Sequence, residues 1–294
     1  MHQHSSIAPD TSCADAKSFP CARTPWCVAR GQASTALLMS VFLLFGQKHV
    51  GAQQWSVHEQ RGSIELFSEF PISADVVMGQ LDDIREDLYR HVGLGGSESA
   101  ARSGRKVEII LFSSSASYRQ YLSNRIPEAL SRRAIFYKDG DLCQIYAFRH
   151  NQLLTDLRHE YTHAVLHQTL PYVPLWIDEG LAEYFEEQEP SRLRSPRFSA
   201  VKWKARTGWS PNLQQLEAMK SGPGMHADEY RDSWAWVCFL LNHSPESRSL
   251  LQNYVATIKS GEAPGTFSQW AARQSSNTLS DIGPYFRRVR LSVR

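Results

Sequence analysis

The chain has 294 residues, 42% of them hydrophobic and 21% charged. These ordinary globular proportions exclude wholesale disorder and a polytopic membrane protein. Its 32 Lys and Arg against 30 Asp and Glu leave a formal charge of only +2, with cations densest at the tail residues Arg287, Arg288, Arg290 and Arg294. Such a balance offers no footprint for sequence-independent nucleic-acid binding, so no nucleic-acid partner is expected.

Residues 33–45 (ASTALLMSVFLLF) carry no charge, yet they are too few for a membrane span of about 20 apolar residues. Followed by the small residues Val50-Gly51-Ala52, they read as the core of a secretory signal cut before Gln53. The other reading is an uncleaved membrane anchor through residues 33–45. Either one exports the rest of the chain, so residues 1–52 are expected to be an N-terminal extension with a signal or anchor. Cys13, Cys21 and Cys27 lie in that leader. Cys143 and Cys238 remain, too few for a disulfide scaffold and without a Cys-x-x-Cys pair; two separate buried thiols are expected.

Trp55 to Leu66 alternates as a strand through Trp55, Val57, Ile64 and Leu66. Ser73 to His91 is helical, with Val76, Val77, Leu81, Ile84 and Leu88 at three- and four-residue steps. Gly93 to Gly104 is a Gly/Ser-rich loop, Lys106 to Phe112 a buried strand, and Ser115 to Asn124 a short helix. Ala134–Tyr137 and Leu142–Phe148 flank Lys138-Asp139-Gly140-Asp141, a hairpin signal. From Asn151 the pattern is almost wholly helical. The expected fold is α+β, a small α/β lobe with a mixed sheet over 53–150 followed by a mainly helical lobe over 151–294.

The helical lobe opens with Leu157-Arg158-His159-Glu160-Tyr161-Thr162-His163, a His-Glu-x-x-His motif. Residues four apart lie about 6 Å apart along one helix face, so two imidazoles can converge on one ion. Glu160, about 100° round the helix, can reach a water at that ion without ligating it. Zinc needs a third protein ligand and an open fourth position. His167 lies too far along the axis to join, and Leu166 and Thr169 stand where a metzincin needs Gly and His. The remaining source is Trp176-Ile177-Asp178-Glu179-Gly180-Leu181-Ala182-Glu183-Tyr184-Phe185-Glu186, a second helix after Pro171 and Pro174. Its Glu179, Glu183 and Glu186 form a stripe that a helical hairpin turns back on the histidines. Glu179 is then the third ligand, and Glu183, one turn on, accepts a hydrogen bond from a ligand imidazole. Asp178 reads as the cap of this helix. His167, His226 and His243 read as surface or core histidines, and Trp203, Trp209, Trp234 and Trp236 as core or cleft wall.

The motif followed, after fifteen intervening residues, by the Glu of WIDEGLAEYFE resembles the gluzincin metallopeptidases. It is most similar to the bacterial peptidase MA-like domains, and more distantly to aminopeptidase-N-type enzymes. The resemblance spans roughly residues 105 to 243. It implies that His159, His163 and Glu179 bind Zn2+ and that Glu160 is the catalytic base. In Glu229-Tyr230-Arg231-Asp232-Ser233-Trp234, Tyr230 matches the position whose hydroxyl stabilises the oxyanion. It also implies that the strand Leu142–Phe148 edges the cleft, where an extended peptide or protein substrate could pair. No Gly-x-Met-Glu-Asn-type segment is present to bind a substrate amino terminus. The expectation is an exported zinc metallopeptidase; the alternative is a non-catalytic gluzincin-like module binding peptides or envelope components.

Overall fold

A computed structural model describes residues 55–95, 106–189, 191–220, 225–274 and 277–289, all within one compact unit, Ala52–Arg294. The leader with its apolar run 33–45 and three cysteines, most of the Gly/Ser-rich loop, and Arg290 and Arg294 fall outside the described residues. Among the described residues, no helix is long and apolar enough to cross a membrane.

Five strands build one mixed sheet: β1 (Val57–Arg61), β2 (Ile64–Ser68), β3 (Val107–Phe112), β4 (Ala134–Asp139) and β5 (Leu142–Phe148), in the order β1-β2-β3-β5-β4. β2, β3 and β5 run parallel, while β1 and β4 are antiparallel edges. The single strand expected over Trp55–Leu66 is a hairpin. Gly62 adopts φ 56°, where only glycine is unstrained, and turns the chain between Arg61 and Ile64. Alternation on either side of that turn reads as one run in the sequence.

β3 is buried on both faces. Val107, Ile109 and Leu111 join the main core, while Ile110 and Phe112 join a smaller cluster with Tyr118, Leu122 and Tyr146. The smaller cluster lies under α2 (Ser115–Leu122), which begins at a Ser114 capping box. The main face is covered by α1 (Ala74–Val92), capped by Ser73, and by α3 (Leu153–Thr169). The remaining α-helices among the described residues are α4 (Leu175–Phe185), α5 (Pro196–Arg206), α6 (Leu213–Ala218), α7 (Ala227–Asn242), α8 (Pro245–Lys259), α9 (Phe267–Arg273) and α10 (Ile282–Arg288). The fold is α+β: a mixed five-stranded sheet followed by helices.

Cys143 on β5 and Cys238 on α7 are buried and form no disulfide. Trp234 and Trp236 are core residues, and Trp209 lies half-buried under the Arg231 guanidinium. Trp203 departs from expectation, being 65% exposed. α5 buries Phe198, Val201 and Ala205 on one stripe, and Trp203 lies off that stripe.

Two contacts fix the helices around α4. Arg158 on α3, only 3% exposed, donates to the carbonyls of Phe185 (2.9 Å), Glu186 (3.0 Å) and Glu187 (3.4 Å). It thereby satisfies the acceptors that the end of α4 leaves unpaired. Its guanidinium also bonds the Gln80 side chain on α1 at 3.3 Å. Gly180 in turn lets α7 seat directly on α4. A Cβ there would lie 2.6 Å from Ser233 O and 2.7 Å from Val237 Cγ2. Gly180→Ala gains about 1 kcal/mol of helix propensity but must push back a backbone carbonyl, and such overpacking costs about 1–3 kcal/mol or more. The variant is expected to melt several degrees below wild type in a thermal scan.

Candidate metal centre

Pro171 and Pro174 separate α3 from α4 and start the second helix at once, with Pro174 at its N-cap. The antiparallel pair that results sets the site. His159 and His163 stand one turn apart on α3, their ring centroids 5.0 Å apart. Each Nε2 lies 3.8 Å from Glu179 Oε2 on α4. Donor atoms of the three residues all fall within 4.8 Å of one another. Ligands of a tetrahedral zinc stand roughly 3.3 Å apart, given Zn–N and Zn–O distances near 2.0–2.1 Å. The donor set and its spacing fit that ion.

The other ring nitrogens are held by carboxylates. His163 Nδ1 lies 2.8 Å from Asp178 Oδ1, and His159 Nδ1 lies 3.1 Å from Glu186 Oε2. Acceptors of this kind hold a proton on Nδ1 and turn each Nε2 toward Glu179. Two sequence-based expectations are corrected here. Asp178 is not the helix cap. The helix begins three residues earlier, which puts Asp178 inside its first turn, where it also accepts from His167 Nε2 at 2.9 Å. The carboxylate on His159 is Glu186 rather than Glu183. Glu183 pairs with Arg197 on α5, which also bonds Glu186 at 3.0 Å. Antiparallel packing sends His159, nearer the start of α3, toward the end of α4.

Charge in this cluster is closely coupled. Burial alone would lower the His163 pKa, but Asp178, Glu179 and Glu160 outweigh it and lift the group to about 10. His159 is raised by the Glu186 bond against the effect of burial. Glu179 moves up because burial outweighs the two imidazoles, and Glu183 moves up through burial and its neighbour Glu186. Burial also pushes Glu186 upward, but His159 and Arg197 bring it below the usual carboxylate range.

Glu160 is 7% exposed. Its Oε2 accepts the Phe136 N–H of β4 at 2.7 Å. The strand beside the cleft is thus the edge strand β4, not Leu142–Phe148. β5 is internal because the hairpin folds β4 outside it while β5 pairs parallel with β3. Phe136 also packs its ring over His163 and His167, centroids 6.5 and 5.7 Å away. Glu160 and His159 line a cleft of about 360 Å³ with Arg132, Arg133, Asp156, Glu183 and Glu186. Tyr230, half-buried on α7, faces the same region. Burial and the Glu179 charge raise its hydroxyl pKa, while Arg132 opposes them.

The structure therefore brings together His159, His163, Glu179 and Glu160, with Tyr230 on a neighbouring helix and Glu183 in the same cleft near His159 and Glu186, paired with Arg197. His167 is tied to Asp178. His226 caps α7, and His243 stacks on Phe239 at 4.8 Å. Sequence reasoning missed Asp178 and Glu186 as imidazole partners, although both lie on the face that carries Glu179. A scan against protein-family models and a search of curated proteins found no match.

Replacing Asp178 by Asn removes the charge that orients His163. Loss of such a partner typically costs 10–100-fold in metal affinity. That is the expected weakening of zinc binding in competition with a chelator, with the fold retained by circular dichroism.

Proposed function

We propose that the protein is a zinc-dependent metallopeptidase of the gluzincin type, acting outside the cytoplasm on peptide or protein substrates. One observation carries this reading above the others. Two Nε2 atoms converge on one carboxylate oxygen, both Nδ1 atoms are held by half-buried carboxylates, and a further carboxylate, Glu160, stands beside them. A binding module has no use for that last group.

When bound, zinc acidifies water and polarises a carbonyl. His159, His163 and Glu179 hold it, and Asp178 and Glu186 keep the two rings in the ligating orientation. Glu160 takes the water proton on a carboxylate oxygen and delivers it to the leaving nitrogen as the peptide bond opens. Its bond to Phe136 N–H fixes the carboxylate beside the sheet edge, where an extended chain can pair. Because Arg133 O accepts from Phe148 N, alternation along the antiparallel pair turns the backbone groups of Ala134 and Phe136 away from β5. Tyr230 supplies a hydroxyl donor to the developing oxyanion, a contact worth about 3–4 kcal/mol in other enzymes.

Glu160→Gln is the deciding variant. It is expected to retain one equivalent of zinc by metal analysis while hydrolysis of every peptide cleaved by wild type falls about 10²–10⁴-fold. Unchanged turnover overturns the mechanism. A wild-type protein that binds zinc and peptides but cleaves none supports the binding module instead.

A further inference from the structure

The cations around the cleft are almost all committed. Arg133 bonds Asp156 Oδ1 at 2.9 Å and Gln152 Oε1 at 2.6 Å, and Asp156 also pairs with His150 at 3.1 Å. Glu183 and Glu186 share Arg197. Arg132 is the exception. It lines the same cleft and is exposed; it has no ion-pair partner among the described residues, and its side chain hydrogen-bonds only the uncharged end of Tyr230, which leaves most of its five donors unused. A guanidinium with free donors at the rim of a substrate cleft matches a planar, bidentate carboxylate.

Its place in the strand pattern supports the same use. Arg132 is extended (φ −107°, ψ 158°) and continues the line of β4 upstream. Side chains two apart share a sheet face. Arg132 therefore falls on the face of Phe136, whose ring lies on His163, and of Lys138, whose Nζ bonds His167 O on α3 at 2.6 Å. This is the face that carries the metal centre. β4 runs from Arg132 toward Lys138, so a peptide pairing antiparallel with it runs the other way. With its scissile carbonyl opposite Glu160, anchored at Phe136, the part C-terminal to the cleaved bond extends toward Arg132. Four residues of strand separate Phe136 from Arg132, roughly 13 Å at about 3.3 Å each, and the arginine side chain can reach back over part of that length.

We propose that Arg132 determines substrate selection by binding a carboxylate that the peptide carries within a few residues on the C-terminal side of the cleaved bond. This rests on the peptidase reading above. The carboxylate has two sources, a free C-terminus or an Asp or Glu side chain. A free C-terminus would make the enzyme one that trims short pieces from chain ends.

The test uses the full-length, zinc-loaded protein and three peptides of one sequence: free acid, C-terminal amide, and amide with Glu placed shortly after the cleaved bond. Wild type is expected to prefer one carboxylate-bearing peptide over the plain amide by roughly ten- to a hundred-fold in kcat/KM. Which of the two is preferred identifies the source. Arg132→Ala is expected to bring that ratio close to one, and Arg132→Lys to keep part of it. The proposal is overturned if wild type does not discriminate. It is also overturned if Arg132→Ala slows all three peptides equally, the result expected of a residue that only positions Tyr230. If wild type cleaves none of them, the peptidase reading fails separately. Calorimetric binding of the same peptides to zinc-loaded Glu160→Gln then decides for Arg132: preference for a carboxylate that Arg132→Ala abolishes sustains it, and equal binding refutes it.

Discussion

The register of the α3–α4 hairpin is the constraint on which the site depends. It pairs His163 with Asp178 near the turn and His159 with Glu186 at the far end, leaving Glu179 between the two imidazoles. Each helical residue turns the side chain by about 100°, so a slip of one position along α4 would carry Glu179 off the shared face. Contacts at both ends oppose such a slip. Proline ends the connection on one side, and on the other Arg158 binds the last carbonyls of α4. Gly180 then seats α7, and with it Tyr230, against the same helix.

Electrostatics explains why this arrangement suits a cation. Glu160, Asp178, Glu179 and Glu186 crowd around two histidines in a largely buried cluster. Buried charges are tolerated only when paired and hydrogen-bonded. Asp178 is satisfied by two imidazoles, and Glu186 by an imidazole and Arg197. Among the described residues Glu179 has only the two Nε2 atoms at 3.8 Å, longer than a hydrogen bond, and its pKa is raised by burial. The central acid is thus the least compensated member of the set. A dication between these three donors would supply the missing positive charge without moving the outer carboxylates.

Legibility in the sequence followed the range of the interactions. The His-Glu-x-x-His helix, the proline-bounded turn and the carboxylate face of the second helix are local patterns, and together they singled out His159, His163 and Glu179 as a set that could meet. Roles that required choosing between neighbours on one face were less legible. Glu183 and Glu186 both point toward α3 by periodicity, and only Arg197, from a later helix, separates their partners. Asp178 looked like a cap because the sequence did not reveal that Pro174 starts the helix. Strand order was hidden for a different reason. A hairpin fixes which strands are neighbours but not which of them meets β3, so β4 and β5 were exchanged at the cleft edge. Gly62 similarly concealed a turn inside a run that alternates on both sides of it.

Glu160 joins the two halves of the fold. Its backbone belongs to α3 and its carboxylate is bonded to the edge strand, so the position of that acid depends on the sheet as well as on the helix. β5 leads almost directly into α3, and Phe136 packs across both His163 and His167. Edge strand, histidine helix and carboxylate are therefore tied together, while α4 and α7 form the opposite wall through their close approach at Gly180. In a cleft built this way the histidines and carboxylates are fixed by packing that tolerates little change. Exposed positions on the rim, outside that packing, are where selectivity can vary at small cost to stability. Arg132, extended, exposed and just upstream of β4, is such a position.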